Sequence, residues 1–229
     1  TVGSPDLKPN RDFEHTLKLS YHKGPWQSFI QCYYKSCNHP NMAVYERTAD
    51  NQFIYTQRNQ KEIDVLHVMA YATYWLIPEK LTITADGGLF RCFNFGDDYT
   101  HCYTSYFCTG SINAYLGHFT FVAHADNGSR FLEGEGKGYN GSCISLQGAY
   151  QYKNWQFSLT WSQPLSRNYK MYESEVLNRN LHKITTLYNS DNCNLVSLNI
   201  TCRLSKGRKY QGVDKKINLK DNETGIIKR

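Results

Sequence analysis

Apolar and polar residues alternate along most of this chain with a period of two, the spacing of strands that turn one face inward and the other outward. Ala43 to Thr48 and Gln52 to Gln57 flank Ala49-Asp-Asn51, whose residues tolerate left-handed backbone, and so predict a hairpin. Leu81 to Thr84 and Leu89 to Phe95 flank Ala85-Asp-Gly-Gly88, where Asp-Gly supplies the positive φ angles of a tight hairpin turn. His118 to His124 and Arg130 to Glu133 bracket Asp126-Asn-Gly-Ser129 in the same way. Ile144, Leu146, Gly148, Tyr150 and Tyr152 alternate up to Lys153-Asn154, and Trp155, Phe157, Leu159 and Trp161 alternate back, giving that pair one strongly aromatic face.

The period changes between Tyr169 and Tyr188. Val176, Leu177, Leu181, Ile184 and Leu187 or Tyr188 recur at three-to-four spacing and predict an amphipathic helix packed by one face on the sheet. A closing strand, Leu195 to Cys202, follows. The fold expected is mainly β, an antiparallel barrel or sandwich with disulfides and one C-terminal amphipathic helix. Residues 1–12, with two prolines, read as an extended N-terminal arm. Residues 13–205 read as a single disulfide-stabilised β domain and 206–229 as a basic polar tail, with no internal repeat or linker between.

Composition sharpens the class. At 229 residues the chain is long enough to bury roughly 70% of its unfolded surface. Its 18 tyrosines and 14% aromatic content favour strands and binding surfaces. The net charge of +6 is scattered except from Lys206 to Arg229, so no nucleic-acid partner is expected. The longest apolar run, Val65 to Ile77, is interrupted by His67 and Thr73 and falls short of the roughly 20 residues of a membrane helix. No transmembrane segment is therefore expected. Thr1 opens no apolar signal segment, which reads as a processed mature form or an excised ectodomain.

Eight cysteines and four Asn-x-Ser/Thr sequons, at Asn127, Asn140, Asn199 and Asn222, point to the secretory pathway, with disulfides and N-glycans. Spacing favours Cys32 with Cys37, Cys92 with Cys102 and Cys193 with Cys202, leaving Cys108 and Cys143 for a longer link, one of many possible pairings. Cys32, Cys37 and His39, or His101 and Cys102, lack the paired spacing of zinc ligands, so no metal is expected. Nor is a cofactor: Gly136 to Gly141 matches GxGxxG but contains the Asn140 sequon and leads into a strand, not a helix.

No catalytic signature occurs. Alternate carboxylates such as Glu133 and Glu135, or Glu173 and Glu175, define no cleft, and His118 and His124 read as structural or surface residues. The aromatic residues are the better functional candidates. Tyr71, Tyr74, Trp75, Tyr150, Tyr152, Trp155 and Trp161 are expected either to line an apolar cavity or to form an external binding face.

Gly24-Pro25-Trp26 near the N-terminus, Asp98-Tyr99 and the late Arg203 together resemble the lipocalin pattern. That resemblance implies an eight-stranded barrel enclosing a small-molecule cavity, with Trp26 and Arg203 structural, the arginine lying across the indole. The chain departs from the pattern in having Asp97 where the family has threonine, and in its greater length.

The function expected is that of a secreted, N-glycosylated, non-enzymatic binding protein. Its partner would be a small amphipathic ligand in the barrel, or an extracellular protein or glycan. A receptor-binding ectodomain of a viral surface glycoprotein is the second reading, consistent with the dibasic end at Lys228-Arg229, and a secreted hydrolase the third.

Overall fold

The computed structural model describes residues 7–204, which form antiparallel β structure and no helix. In chain order the strands are β1 (Arg11–Lys23), β2 (Trp26–Asn38), β3 (Asn41–Arg47), β4 (Phe53–Asn59), β5 (Glu62–Ile77), β6 (Leu81–Phe95), β7 (Thr100–Leu116), β8 (Phe119–Asp126), β9 (Ser129–Glu133), β10 (Gly136–Asn140), β11 (Ile144–Tyr152), β12 (Trp155–Ser162), β13 (Tyr169–Leu177), β14 (His182–Asn189) and β15 (Leu195–Cys202).

Nine of them make one sheet in the order β1-β2-β5-β6-β7-β8-β11-β12-β15, so every bonded neighbour is also the next sheet strand along the chain. Short turns close one end, at Gly24-Pro25, residues 78–80, Gly117-His118 and Lys153-Asn154. Gly24 (φ 56°) and Lys153 (φ 52°) supply the left-handed backbone that such turns require. The long excursions all leave from the other end: the β3–β4 hairpin, the β9–β10 pair and the β13–β14 pair. The last two pairs join as a four-stranded sheet, β14-β13-β10-β9.

These insertions pack where they leave. Asn94 Nδ2 donates to Gly134 O (3.1 Å), and the Cys92 thiol lies 3.7 Å from Leu132 O, fixing β9–β10 against β6. The buried apolar side chains, Cys37, Met42, Val44, Cys92, Leu132 and Val176, lie on the insertions or on the parts of β2 and β6 nearest them. The rest of the nine-stranded sheet has almost no protein core of its own.

Several sequence expectations fail for identifiable reasons. The sheet is neither a sandwich nor a closed barrel: β1 and β15 are open edges among the described residues. The predicted helix is β13 and β14. Its three-to-four spacing came from adding apolar residues on either side of the Asn178-Arg179-Asn180 turn. The Asp86-Gly87 hairpin is instead the continuous strand β6. A Cβ on Gly88 would come 2.9 Å from Met69 Cα and from the Phe107 ring, so this glycine permits close strand approach, not a turn. Asp126 to Ser129 is a kink at which the chain leaves one sheet for the other.

All eight cysteines are unpaired. Cys32 and Cys37 are an odd number apart on β2 and point to opposite faces, as do Cys92 and Cys102, whose register sets Cys92 against Tyr103. Cys193 precedes β15 and Cys202 ends it, and β8 separates Cys108 from Cys143. The expected arm shares Arg11 and Asp12 with β1, and the expected basic tail and Asn222 lie outside the described residues.

Candidate functional site

Register carries one line of partners across eight strands: Trp26, Tyr74, Ile83, Ile112, Ala123, Leu146, Trp161 and Val196. Leu17, Cys32, Val68, Leu89 and Tyr106 form a second such line. Paired residues share a face, so both lines lie on one side of the sheet. The line between them reads His22, Gln27, Thr73, Thr84, Ser111, His124, Ser145, Ser162 and Leu195, and it lies on the other side. One face is therefore apolar from edge to edge; the other is polar along this line and mixed elsewhere, with Phe29, Val65, Met69, Phe90 and Phe107 among its polar residues.

The exposures are inverted relative to a water-soluble protein. On the apolar face Ile30 is 58% exposed and Leu198 65%, whereas on the polar face Asn94 is 0% exposed and Ser105 6%. Every exposed large apolar side chain on the nine strands lies on the apolar face except Tyr115, Leu195 and Leu76, the extra residue of a bulge. Full exposure of such a side chain forgoes about 1.5–3 kcal/mol, and half-exposure about half of that; soluble monomers keep contiguous apolar patches to a few hundred Å². An apolar face of this extent exceeds what a soluble monomer ordinarily leaves uncovered.

Its dimensions are definite. The apolar stretches Phe13–Tyr21 and Trp26–Tyr34 are nine residues long and Tyr106–Leu116 is eleven. At about 3.3 Å per residue and a tilt of about 40°, they span roughly 21–28 Å. Between its rims the face carries no Asp, Glu, Lys or Arg; Arg11 and Asp64 fall beyond its ends, and Lys23 and Arg91 stand at the rims, in register with Trp26 and, through Leu66, with Tyr34. Aromatic rings rim it. Tyr21, Trp26, Tyr74, Phe119, Tyr152 and Trp155 stand beside the short turns, and Phe13, Tyr34, Tyr106 and Trp161 toward the insertions.

The sequence-predicted site residues divide between the faces. Tyr74, Tyr150, Tyr152, Trp155 and Trp161 lie on the apolar face, Tyr71 and Trp75 on the polar one. As a set they line no common cavity, since three strands separate β5 from β11; Tyr74 and Trp75 alone share a hollow, beside the Gly24-Pro25 turn. Tyr71 stacks on Phe29 at 5.0 Å and accepts a hydrogen bond from Thr73 Oγ1, while Tyr150 packs on Phe119 at 4.7 Å. Trp26 packs on Tyr74 and donates Nε1–H to Ser28 Oγ (3.0 Å); Arg203 instead donates its backbone N–H to Asn154 O.

Asn127 accepts from the Cys108 N–H (2.9 Å), Asn140 donates to Ser129 Oγ, and Asn199 stands on the polar face of β15. The two histidines considered for catalysis have separate partners, Tyr150 for His118 and Asp126 for His124. Among the described residues no three His, Cys, Asp or Glu side chains gather closely enough to hold a metal ion.

The insertions hold the polar chemistry. A cleft of about 1000 Å³ is lined by Arg47, Arg58, Asp97, Glu135 and Arg179 among others. Glu135 is buried, and its carboxylate accepts from Asn178 Nδ2 (2.8 and 2.9 Å) and from the Tyr45 N–H (3.3 Å). Burial pushes the Tyr99 phenol well above its ordinary value, helped by the nearby Glu135 charge. Hydrogen bonds from Lys137 and then His182 hold the Glu175 carboxyl below its ordinary range.

Comparison with family models, with curated proteins and with solved structures finds no match to this chain. The feature that sequence reading missed is the continuity of the apolar face. Its signal lay in the alternation itself, but only register shows that all nine strands turn their apolar residues to one side.

Proposed function

We propose that the nine-stranded sheet is part of the wall of a membrane-spanning β-barrel, with its apolar face in lipid, its polar face toward an aqueous interior, and the insertions capping one end. The inverted burial carries this reading. A water-soluble barrel that carries an amphipathic ligand turns its apolar residues inward, whereas a barrel in a bilayer turns them outward and rims them with aromatic side chains. The band height agrees with an apolar belt of about 25 Å, and short turns at one end with long excursions at the other fit the same architecture. No helix of the described residues is long and apolar enough to cross a membrane; the spanning elements here are strands.

Two consequences follow for the sequence expectations. Asn199 then faces the interior at mid-strand, where a glycan has no room, leaving Asn127 and Asn140 as candidate acceptors. The edges of β1 and β15 require strand partners in lipid, supplied by copies of the chain.

Refolding of the full chain from urea into phosphatidylcholine vesicles tests the reading. Insertion should resist carbonate extraction, and bromine atoms on the acyl chains should quench Trp26, Trp155 and Trp161 while sparing Trp75. A chain that stays soluble and monomeric without detergent, and is unquenched by such vesicles, refutes it.

A further inference from the structure

We infer that the cleft where β9, β10 and β13 meet β7 binds the phosphate of an anionic lipid headgroup, with Arg130 as its main contact, an inference that rests on the membrane-spanning reading. The cleft, about 300 Å³, gathers the cations Arg130, Lys137 and Lys170 beside Tyr103 and Tyr139. Two of the three are matched: Lys137 Nζ lies 3.0 Å from Glu175 and Lys170 Nζ 2.8 Å from Glu173. Arg130 is not. Its guanidinium lies over the Tyr139 ring at 4.8 Å and the Tyr106 ring at 5.6 Å, and Nη1 reaches the Tyr106 carbonyl at 3.5 Å. No carboxylate among the described residues lies within 4.0 Å of it.

Placement selects the ligand. Tyr106 is the last apolar residue of its spanning stretch; the next residues on that face are Thr104 and its partner Arg91. The unmatched guanidinium therefore sits at the boundary of the apolar band, the level at which headgroup phosphates lie. The kink makes the room. β8 ends at Asp126, after one last bond from the Asn127 N–H to Cys108 O, so β7 beyond that point borders β9 instead of a continuing sheet strand. A phosphate offers two oxygens to the guanidinium fork and a third to a lysine ammonium; Tyr103 lines the cleft from the polar side of β7, and the acyl chains leave past the Tyr106 ring onto the apolar face.

Native mass spectrometry of the full chain in detergent micelles tests this, with dioleoyl phosphatidic acid, dioleoylglycerol and inorganic phosphate as probes. Phosphatidic acid should be retained, Arg130→Gln should weaken retention roughly tenfold or more, and Arg130→Lys by less. Dioleoylglycerol should not be retained, and millimolar inorganic phosphate should not displace the lipid. Equal retention by wild type and Arg130→Gln overturns the inference, as does equal retention of dioleoylglycerol. Displacement by inorganic phosphate overturns the lipid as the source of the anion. Vesicle insertion of the same preparations separates the two ideas: insertion without selectivity for phosphatidic acid sinks only the headgroup site, whereas failure of wild type to insert sinks the spanning reading itself.

Discussion

Replacing Ile30 by Arg separates lipid from water as the neighbour of the apolar face. Ile30 lies midway along the Trp26–Tyr34 stretch and is 58% exposed. At a water-exposed position of this kind a substitution changes stability by no more than about 0.5 kcal/mol. At the midplane of a bilayer an arginine on a barrel's outer face costs about 2–4 kcal/mol, and about 0–1 near the interface. The two surroundings therefore differ by about 1.5 kcal/mol at least, roughly tenfold or more in the folding equilibrium. Trp26→Arg, at the band's rim, and Gln31→Arg, adjacent in sequence but on the polar face, control for depth and for side. Urea titration of folding into vesicles, read by protection from protease, should rank the costs Ile30→Arg well above Trp26→Arg and Gln31→Arg. If Ile30→Arg costs no more than Gln31→Arg, the apolar face does not contact lipid and the reasoning fails.

Gly88→Ala should destabilise the sheet by about 1–3 kcal/mol, because the added methyl comes within 2.9 Å of Met69 Cα on the neighbouring strand; an unchanged urea midpoint would show that the strands separate there at no cost. Alkylation of the urea-unfolded chain without reductant should add eight adducts, one per unpaired cysteine, and fewer would reveal a disulfide that this arrangement lacks. Acidification should loosen the four-stranded insertion sheet. The folded-state values of Glu173 and Glu175 lie below the ordinary 4.5, so their contribution is present above that pH and is lost as pH falls through the depressed values. Protease cleavage of the insertions should accordingly rise below about pH 4.5, and a pH-independent rate would show that the Lys170 and Lys137 pairs contribute nothing.

Strand content was legible because alternation is a local property. The β3–β4 hairpin and the β11–β12 pair were read with nearly the observed bounds, since their turns at Asn51 and Lys153 do adopt positive φ. Where one local pattern serves two structures the reading failed. Asp86-Gly87-Gly88 suits a tight turn and equally a strand pressed against its neighbours, and only the positions of Met69 and Phe107 decide between them. Val176 to Tyr188 suits a helix and equally two strands about a turn. The candidate aromatics do not gather at one place: Tyr71 and Trp75 lie on one face of the sheet and the other five on the opposite face. Alternation states that Trp155, Phe157, Leu159 and Trp161 share a face; it does not state whether protein, water or lipid lies beyond it.

What lies beyond it also governs how the chain folds. The side chains that the protein buries for itself, such as Met42, Val44, Leu132 and Val176, belong largely to the insertions, while most leucine and isoleucine side chains of the nine strands, with Phe13, Phe119, Phe121 and Phe157, face outward. In water those strands would keep their hydrogen-bond ladders and lose most of the apolar transfer energy that opposes chain entropy. In the proposed barrel wall lipid supplies that transfer, and it raises the stakes at the edges, because an unpaired backbone group there costs several kcal/mol where water would have satisfied it. β1, thirteen residues long and exposed throughout, and β15 are such edges. An odd number of antiparallel strands leaves them running in the same direction, so closing the sheet on itself would require a parallel pair. In this geometry insertion, edge pairing and folding of the large sheet are one coupled event, whereas the insertions keep a core of their own.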